Sequence, residues 1–175
     1  MSKGYKFLTS EMKSKSGNCK WTIGEWKKHD GELEMCESGF HYCKEPIEAF
    51  EYVYGDMFCV VEVKGKEKTE GNKTVAEEMR VVKVLDTKRV AVQFAIACAR
   101  RSLPNYEKEY PKDDRPRKAI EAAETWFANP TKENESAARS AWSAARSAES
   151  AAWSAAWSAE KKWQNKILLS IIEET

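Results

Sequence analysis

Between Ser136 and Glu160 the chain is written almost wholly in alanine and serine, with a Trp, Arg or Glu at every third or fourth position. The run divides as SAAR-SAW-SAAR-SAE-SAAW-SAAW-SAE, 25 residues in seven units, or about 3.6 per unit, the residue count of one α-helical turn. Alanine is the strongest helix former, and neither Gly nor Pro interrupts the run. The spacing therefore predicts one long helix. It also fixes three different faces on that helix.

At about 100° per residue, Trp142, Trp153 and Trp157 fall on one stripe with Arg139, Arg146, Glu135, Glu149 and Glu160. The serines form a second stripe and the alanines a third. Side chains as small as alanine let another helix approach closely, so the alanine face reads as the inward one. Trp interleaved with Arg is the usual composition of binding hot spots. Two readings of the stripe stand side by side. A Trp row at helical spacing can pack on the protein's own neighbouring elements, with Arg and Glu decorating a solvated surface. It can equally be a face kept for a partner, since large exposed aromatic patches rarely lack a role.

A chain of 175 residues holds one ordinary domain or two small ones, and 42% hydrophobic residues suffice for a core. Net charge is +1, with −1 on residues 1–85 and +2 on the remainder by direct count. Neither part carries the basic excess of a general nucleic-acid binder, so no direct nucleic-acid binding is expected. No apolar run approaches a bilayer span. The opening MSKGYKFLTSEMKSK has neither an apolar core nor a cleavage site, so it does not read as a secretory signal. Five cysteines without framework spacing then read as reduced thiols of a cytoplasmic protein.

The first part, residues 1–86, reads as α+β with a small, mostly antiparallel sheet. Tyr5 to Leu8 is a short strand. Lys20 to Ile23 and Glu32 to Met35 flank a KKHDG turn that suits a hairpin. Pro46 to Tyr54 reads as a short helix, with Pro in the first turn and Ile47, Phe50 and Tyr54 on one face. Met57 to Val63 and Arg80 to Leu85 are the clearest strands, rich in β-branched residues. The stretch Lys64 to Lys73 between them reads as a charged loop.

Residues 87–175 read as three helices. Asp86 or Thr87 can cap the first, which runs through Arg101 with Val90, Phe94, Ala97 and Cys98 inward. Leu103 to Pro111 reads as an irregular loop. Asp113-Asp114-Arg115-Pro116 opens the second helix, with acids at its positive end and Pro in its first turn. That helix stops at Asn129-Pro130. The long Ala/Ser/Trp-rich helix follows from about Thr131, and Ile167, Leu168, Ile171 and Ile172 suggest that its end docks on the body or on a second copy.

Reactive side chains gather in CESGFHYC, where Cys36, His41 and Cys43 stand in Cys-x4-His-x-Cys spacing. Three zinc ligands could come from these, with Cys19 or His29 as a fourth, but no CxxC knuckle accompanies them. A Cys/His nucleophile pair is the other chemical reading, and no orienting acid or oxyanion loop accompanies it. The simpler reading lets Gly39 turn the chain while Phe40 and Cys43 pack and His41 hydrogen-bonds locally. Capping and the helix dipole account for Asp113 and Asp114 more simply than an acidic catalytic pair does. There is no GxGxxG, Walker, HExxH or GxSxG motif, so no catalytic residue, cofactor or metal is expected.

The first part resembles a phage and prophage domain of unknown function. The match rests on Tyr5-Lys6-Phe7, Cys36, the motif Gly39-Phe40-His41-Tyr42-Cys43, and the strands at Phe58 to Val63 and Arg80 to Leu85. The second part is similar to helical proteins named for immunity, through Asp113, Arg115, Ala119, Ile120, Ala122, Ala123 and Trp126. Both resemblances imply a mobile-element origin and a role exercised by binding. The expectation is a small, non-enzymatic protein of the bacterial host cytoplasm that binds and blocks a protein or ribonucleoprotein. An anti-defence inhibitor, such as an anti-CRISPR protein, or an immunity-type protein would fit. The contact residues expected are Trp142, Trp153, Trp157, Arg139 and Arg146, with Arg115 and Trp126 holding the helices together. The rival expectations are an enzyme or metal or small-ligand binder using Cys36, His41 and Cys43, and a module that forms homo-oligomers through the alanine face.

Overall fold

A computed structural model of the chain describes residues 1–15, 19–53, 55–132, 134 and 157–175, with the side chains of the last segment described from Glu160 onward. An antiparallel sheet of five strands with one short helix comes first and helices follow, so the fold class is α+β. The chain divides into two compact units, Met1–Lys88 with Thr175, and Arg89–Glu174.

The strands of the first unit are β1 (Ser2–Leu8), β2 (Lys27–Lys28), β3 (Phe40–Tyr42), β4 (Met57–Glu70) and β5 (Lys73–Asp86). β1 pairs with β4 and β4 with β5, while β2 and β3 both pair with β5. The residue just past β3 then crosses to the other edge. Cys43 exchanges two backbone hydrogen bonds with Tyr5 of β1, at 2.8 and 2.9 Å. Segment 40–43 thus returns the order β1–β4–β5–β3 to β1. Ring closure leaves fewer open strand edges in this unit.

Alternation along β1 assigns the two faces of the sheet. Tyr5 and Phe7 point to one face, where Phe7 lies 4.9 Å from Phe58 and 5.3 Å from Phe50 between ring centroids. Phe50 comes from the 3-10 turn Phe50–Tyr52 that follows the short helix α1 (Pro46–Ala49). The opposite face encloses Leu8, Trp21, Tyr42, Cys59, Val61, Val63, Ala76, Met79 and Val81. Trp21 enters from the loop after β1, its indole N–H donating to Ser14 Oγ at 2.9 Å. A buried indole needs such a partner.

Several sequence-based expectations for this unit are corrected. Lys64 to Lys73 is not a loop: β4 continues to Glu70, β5 starts at Lys73, and Gly71 at φ +60° makes the two-residue turn with Asn72. Residues 64–70 are all exposed, so no apolar alternation marks them as strand. Their conformation comes from the ladder with β5, interrupted by a bulge at Gly65. The hairpin centred on KKHDG is also absent. Lys27 and Lys28 instead pair with Met79 and Glu78, and Ile23 bridges Val81. The unpaired edge of β5, distant in sequence, provides the backbone partners that a local hairpin would have supplied. The helix expected from Pro46 to Tyr54 is α-helical only to Ala49, and Tyr54 lies outside the described residues.

In the second unit α2 (Thr87–Glu109) runs eight residues beyond its expected end at Arg101, through the predicted loop. Pro104 lies inside it at the cost of one backbone hydrogen bond. Leu103 is buried beside it, and Tyr106 and Glu107, one turn on, are both engaged by residues outside the helix. Helix α3 (Arg115–Ala128) starts and stops as the sequence indicates, with Pro116 in its first turn and Asn129 already extended at φ −140°. Helix α4 (Trp157–Glu174) buries Leu168, Ile171 and Ile172 and half-buries Ile167. Two guanidinium–carboxylate forks join α2 to α3: Arg100 with Glu124 at 2.9 and 2.7 Å, and Arg117 with Glu107 at 2.9 and 2.8 Å. Arg101 joins α2 to α4, its guanidinium 4.4 Å above the Trp163 ring and its Nε 3.2 Å from Glu160.

Gly4 allows the ring to close, because a Cβ there would run into the Tyr42 ring and sit 3.1 Å from the Cys43 carbonyl oxygen. Gly4→Ala is expected to destabilise the first unit by about 1–3 kcal/mol, the usual cost of overpacking, read as a lower urea midpoint. In the second unit, a double-mutant cycle of Arg101→Ala and Trp163→Ala should return a coupling of about 0.5–1 kcal/mol, the range for exposed cation–π pairs.

Candidate functional site

The Cys/His segment folds into a tight turn followed by β3. Glu34 and Ser38 exchange backbone hydrogen bonds at 3.1 and 2.9 Å, and Cys36 sits between them with φ +66°. A non-glycine residue in this left-handed region needs support. His41 gives it, its Nε2 accepting the Cys36 backbone N–H at 2.8 Å. That bond fixes the neutral ring with its proton on Nδ1. His41 is half-buried, and its pKa is lowered from 6.5 by burial and by the Lys6 charge, against opposing backbone hydrogen bonds at Gly39 and Glu34.

His41 meets the backbone of Cys36, but the side chains of the three residues singled out in the sequence do not form one metal-holding group. Cys36 is exposed, His41 is engaged by the turn, and Cys43 is buried with its backbone on β1. Burial, with Glu48 and Glu51 nearby, pushes the Cys43 thiol up to about 12, and burial does the same to Cys59. Neither thiol is poised as a nucleophile at neutral pH, since the thiolate is the attacking species. His29 is tied to the same turn. The Ser38 hydroxyl donates to the Glu32 carbonyl at 2.7 Å, so His29 Nε2, 2.7 Å away, is the donor to Ser38 Oγ. Among the described residues no group of three His, Cys, Asp or Glu side chains is placed to hold a metal ion.

Within the motif each residue has a structural task. Gly39 takes φ +99° where a Cβ would meet Val75. Phe40 packs against the enclosed cluster and Tyr42 belongs to it. The Tyr42 hydroxyl donates to Glu67 Oε2 at 2.9 Å, and burial followed by this carboxylate raises its pKa above the ordinary 10.

Two charged groups escaped the sequence reading. Lys6 lies on the inward face of β1 between Gly4 and Leu8, opposite Cys59, with its ammonium 4.6 Å from the centroid of Trp21. Burial pulls its pKa down to about 8, partly opposed by the Cys19 and Cys59 thiols. Strict alternation through Gly4-Tyr5-Lys6-Phe7-Leu8 was the signal for it, hidden by the habit of placing lysine outside. Lys73 is the other, its Nζ 3.9 Å from Cys36 Sγ and 4.2 Å from the centroid of Tyr52.

In the second unit Asp113 takes the Arg115 guanidinium at 2.8 and 2.6 Å, its backbone N–H at 3.1 Å, and the Tyr106 hydroxyl at 2.7 Å. Arg115 and Tyr106 hold the Asp113 carboxyl well below the usual carboxylate range. Arg115 therefore reaches α2 through Asp113 and Tyr106, while Trp126 is buried. Trp142, Trp153, Arg139 and Arg146 lie outside the described residues, as does the side chain of Trp157. At the described end of their stripe, Glu160 and the neighbouring Trp163 are held by Arg101 within the unit.

Residues 2–93, more than half of the chain, match the family described as domain of unknown function (DUF7666). The chain belongs to that family. The match takes in all five strands and the start of α2, including the turn and Gly39–Cys43. Residues 84–161 match a second family, described as "Imm-5 like putative immunity protein", which spans α2, α3 and the Ala/Ser run. No curated protein and no solved structure matches the chain. No described helix is long and apolar enough to cross a membrane.

A histidine held neutral by its fold makes stability fall with acid. Below pH 6.5 the unfolded chain takes up a proton that folded His41 resists, so stability is full above that pH and declines below it. Urea titrations of the full chain should show this loss, with a slope below about 1.4 kcal/mol per pH unit for a single group. His41→Gln, which keeps an acceptor but cannot titrate, should flatten it.

Proposed function

We propose that the chain works by binding another macromolecule and blocking it, as an immunity-type or inhibitory protein, without catalysis. The single observation that supports this is the immunity-family match over 84–161. All five Trp and Arg residues of the stripe, Arg139, Trp142, Arg146, Trp153 and Trp157, fall inside it. Tryptophan and arginine dominate interface energetics because each buries a large surface and keeps a polar or charged group for the partner. The partner is a protein or ribonucleoprotein of a bacterial cell, and the protein acts in its cytoplasm as the product of a phage or other mobile element. The family of the first unit carries no stated activity. On this reading the helical part, 87–175, makes the contact and residues 1–86 form a separate module.

The test is affinity capture from bacterial lysate with two tagged proteins in parallel, the natural chain and Trp142→Ala/Trp153→Ala/Trp157→Ala. A stoichiometric partner bound by the first should lose at least about 30-fold in affinity for the second, the worth of one hot-spot residue at about 2 kcal/mol. Circular dichroism should show unchanged helix content. Equal capture by both proteins, or capture by neither, would remove the assignment.

A further inference from the structure

The Cys36–Lys73 pair has no part in the proposed binding role, and its geometry suits a different chemistry. Cys36 is exposed at the tip of the Glu34–Ser38 turn, where φ +66° and the bond from its N–H to His41 fix the backbone. Lys73 begins β5 directly after the Gly71-Asn72 turn. Its Nζ points at Cys36 Sγ from 3.9 Å and lies 4.2 Å from the centroid of Tyr52. An amine and a thiol 37 residues apart in sequence are thus held in contact, and rotation about the flexible lysine side chain brings them within the span of a single bridging oxygen. Both come from well-paired backbone, and one of them is open to solvent.

We propose that Cys36 and Lys73 form a reversible N–O–S cross-link when the protein meets a peroxide, making this pair a redox-sensitive switch. In the first step the thiolate attacks a peroxide oxygen. An S–O bond forms, the O–O bond breaks, water leaves, and sulfur is oxidised by two electrons to the sulfenic acid. In the second, the deprotonated Lys73 amine attacks another peroxide oxygen in the same way, giving the hydroxylamine and water. The hydroxylamine and the sulfenic acid then condense with loss of water, with no further change in oxidation state. Overall, one thiol, one amine and two peroxides give the N–O–S bridge and three waters. Four equivalents of a thiol reductant, leaving as two disulfides, return the Cys36 thiol and the Lys73 amine and release the bridging oxygen as water. The bridge ties the 34–38 turn to the β4–β5 hairpin, which closes a long loop and restricts the unfolded chain.

The experiment is intact-mass and peptide mass spectrometry of the full chain after hydrogen peroxide, before and after dithiothreitol. The expected product is heavier by one oxygen less two hydrogens, joins the Cys36 and Lys73 peptides, and disappears with dithiothreitol. The cross-linked chain should also melt at a higher temperature than the reduced one. Cys36→Ser and Lys73→Arg should each abolish the product, and the arginine variant keeps the positive charge beside an intact thiol. Three results would overturn the proposal: simple sulfinic or sulfonic acid at Cys36, the same adduct in Lys73→Arg, or an adduct of that mass that resists dithiothreitol, as a sulfinamide would.

Discussion

Segment 40–43 is hydrogen-bonded on both sides, to β5 through Phe40–Tyr42 and to β1 through Cys43, and most of the first unit follows from that closure. Once segment 40–43 meets β1, most side chains between the strands are removed from solvent. Tyr42 needs a residue without a Cβ at position 4, and its hydroxyl, drawn inward, needs the Glu67 carboxylate. Trp21 fills the interior that the ring encloses. Lys6, on the inward side of β1, exchanges part of its hydration for the face of that indole. The lowered pKa of Lys6 and the raised pKa of Cys59 have one cause, the removal of water by ring closure.

The second unit is held differently. Its described helices bury a modest set of apolar side chains, Val90, Cys98, Leu103, Ile120, Trp126, Leu168, Ile171 and Ile172 among them. Between the helices run guanidinium–carboxylate forks, at Arg100–Glu124 and Arg117–Glu107. Exposed pairs of this kind contribute little each, typically about 0.2–1 kcal/mol. Their geometry matters more than their energy, since a planar fork fixes the rotation of one helix against the next. Arg101 combines an ion pair with a cation–π contact, so the last helix is oriented by a charge as well as by its apolar side chains.

These two kinds of construction suit different work. The Gly39–Cys43 motif is explained by the needs of folding: a positive φ, two inward aromatic rings, a histidine that braces a turn, and a cysteine whose backbone completes the ring. Cys36 and Lys73 meet outside that motif, at the surface of the first unit. The binding role proposed for the protein rests instead on the helical part, where family resemblance and a Trp/Arg stripe coincide. Side chains that serve closure and side chains proposed for contact occupy different stretches of sequence.

The sequence by itself determined the α+β class, the strands at Met57 and Arg80, the helix from Arg115 to Ala128 and the simple structural reading of Gly39–Cys43. In each, the signal is local: β-branched runs, a Pro in a first turn, an Asn-Pro stop, a glycine where φ is positive. Only the tertiary structure decided that the charged stretch 64–70 is a strand, that Lys27 and Lys28 join β5 instead of turning, and that α2 runs past Pro104. It also decided that Lys6 faces inward and that Cys36 meets Lys73. The physical reason is shared. Exposed strands and helix ends take their conformation from backbone or side-chain partners far away in the chain, and a window of neighbouring residues carries no record of those partners.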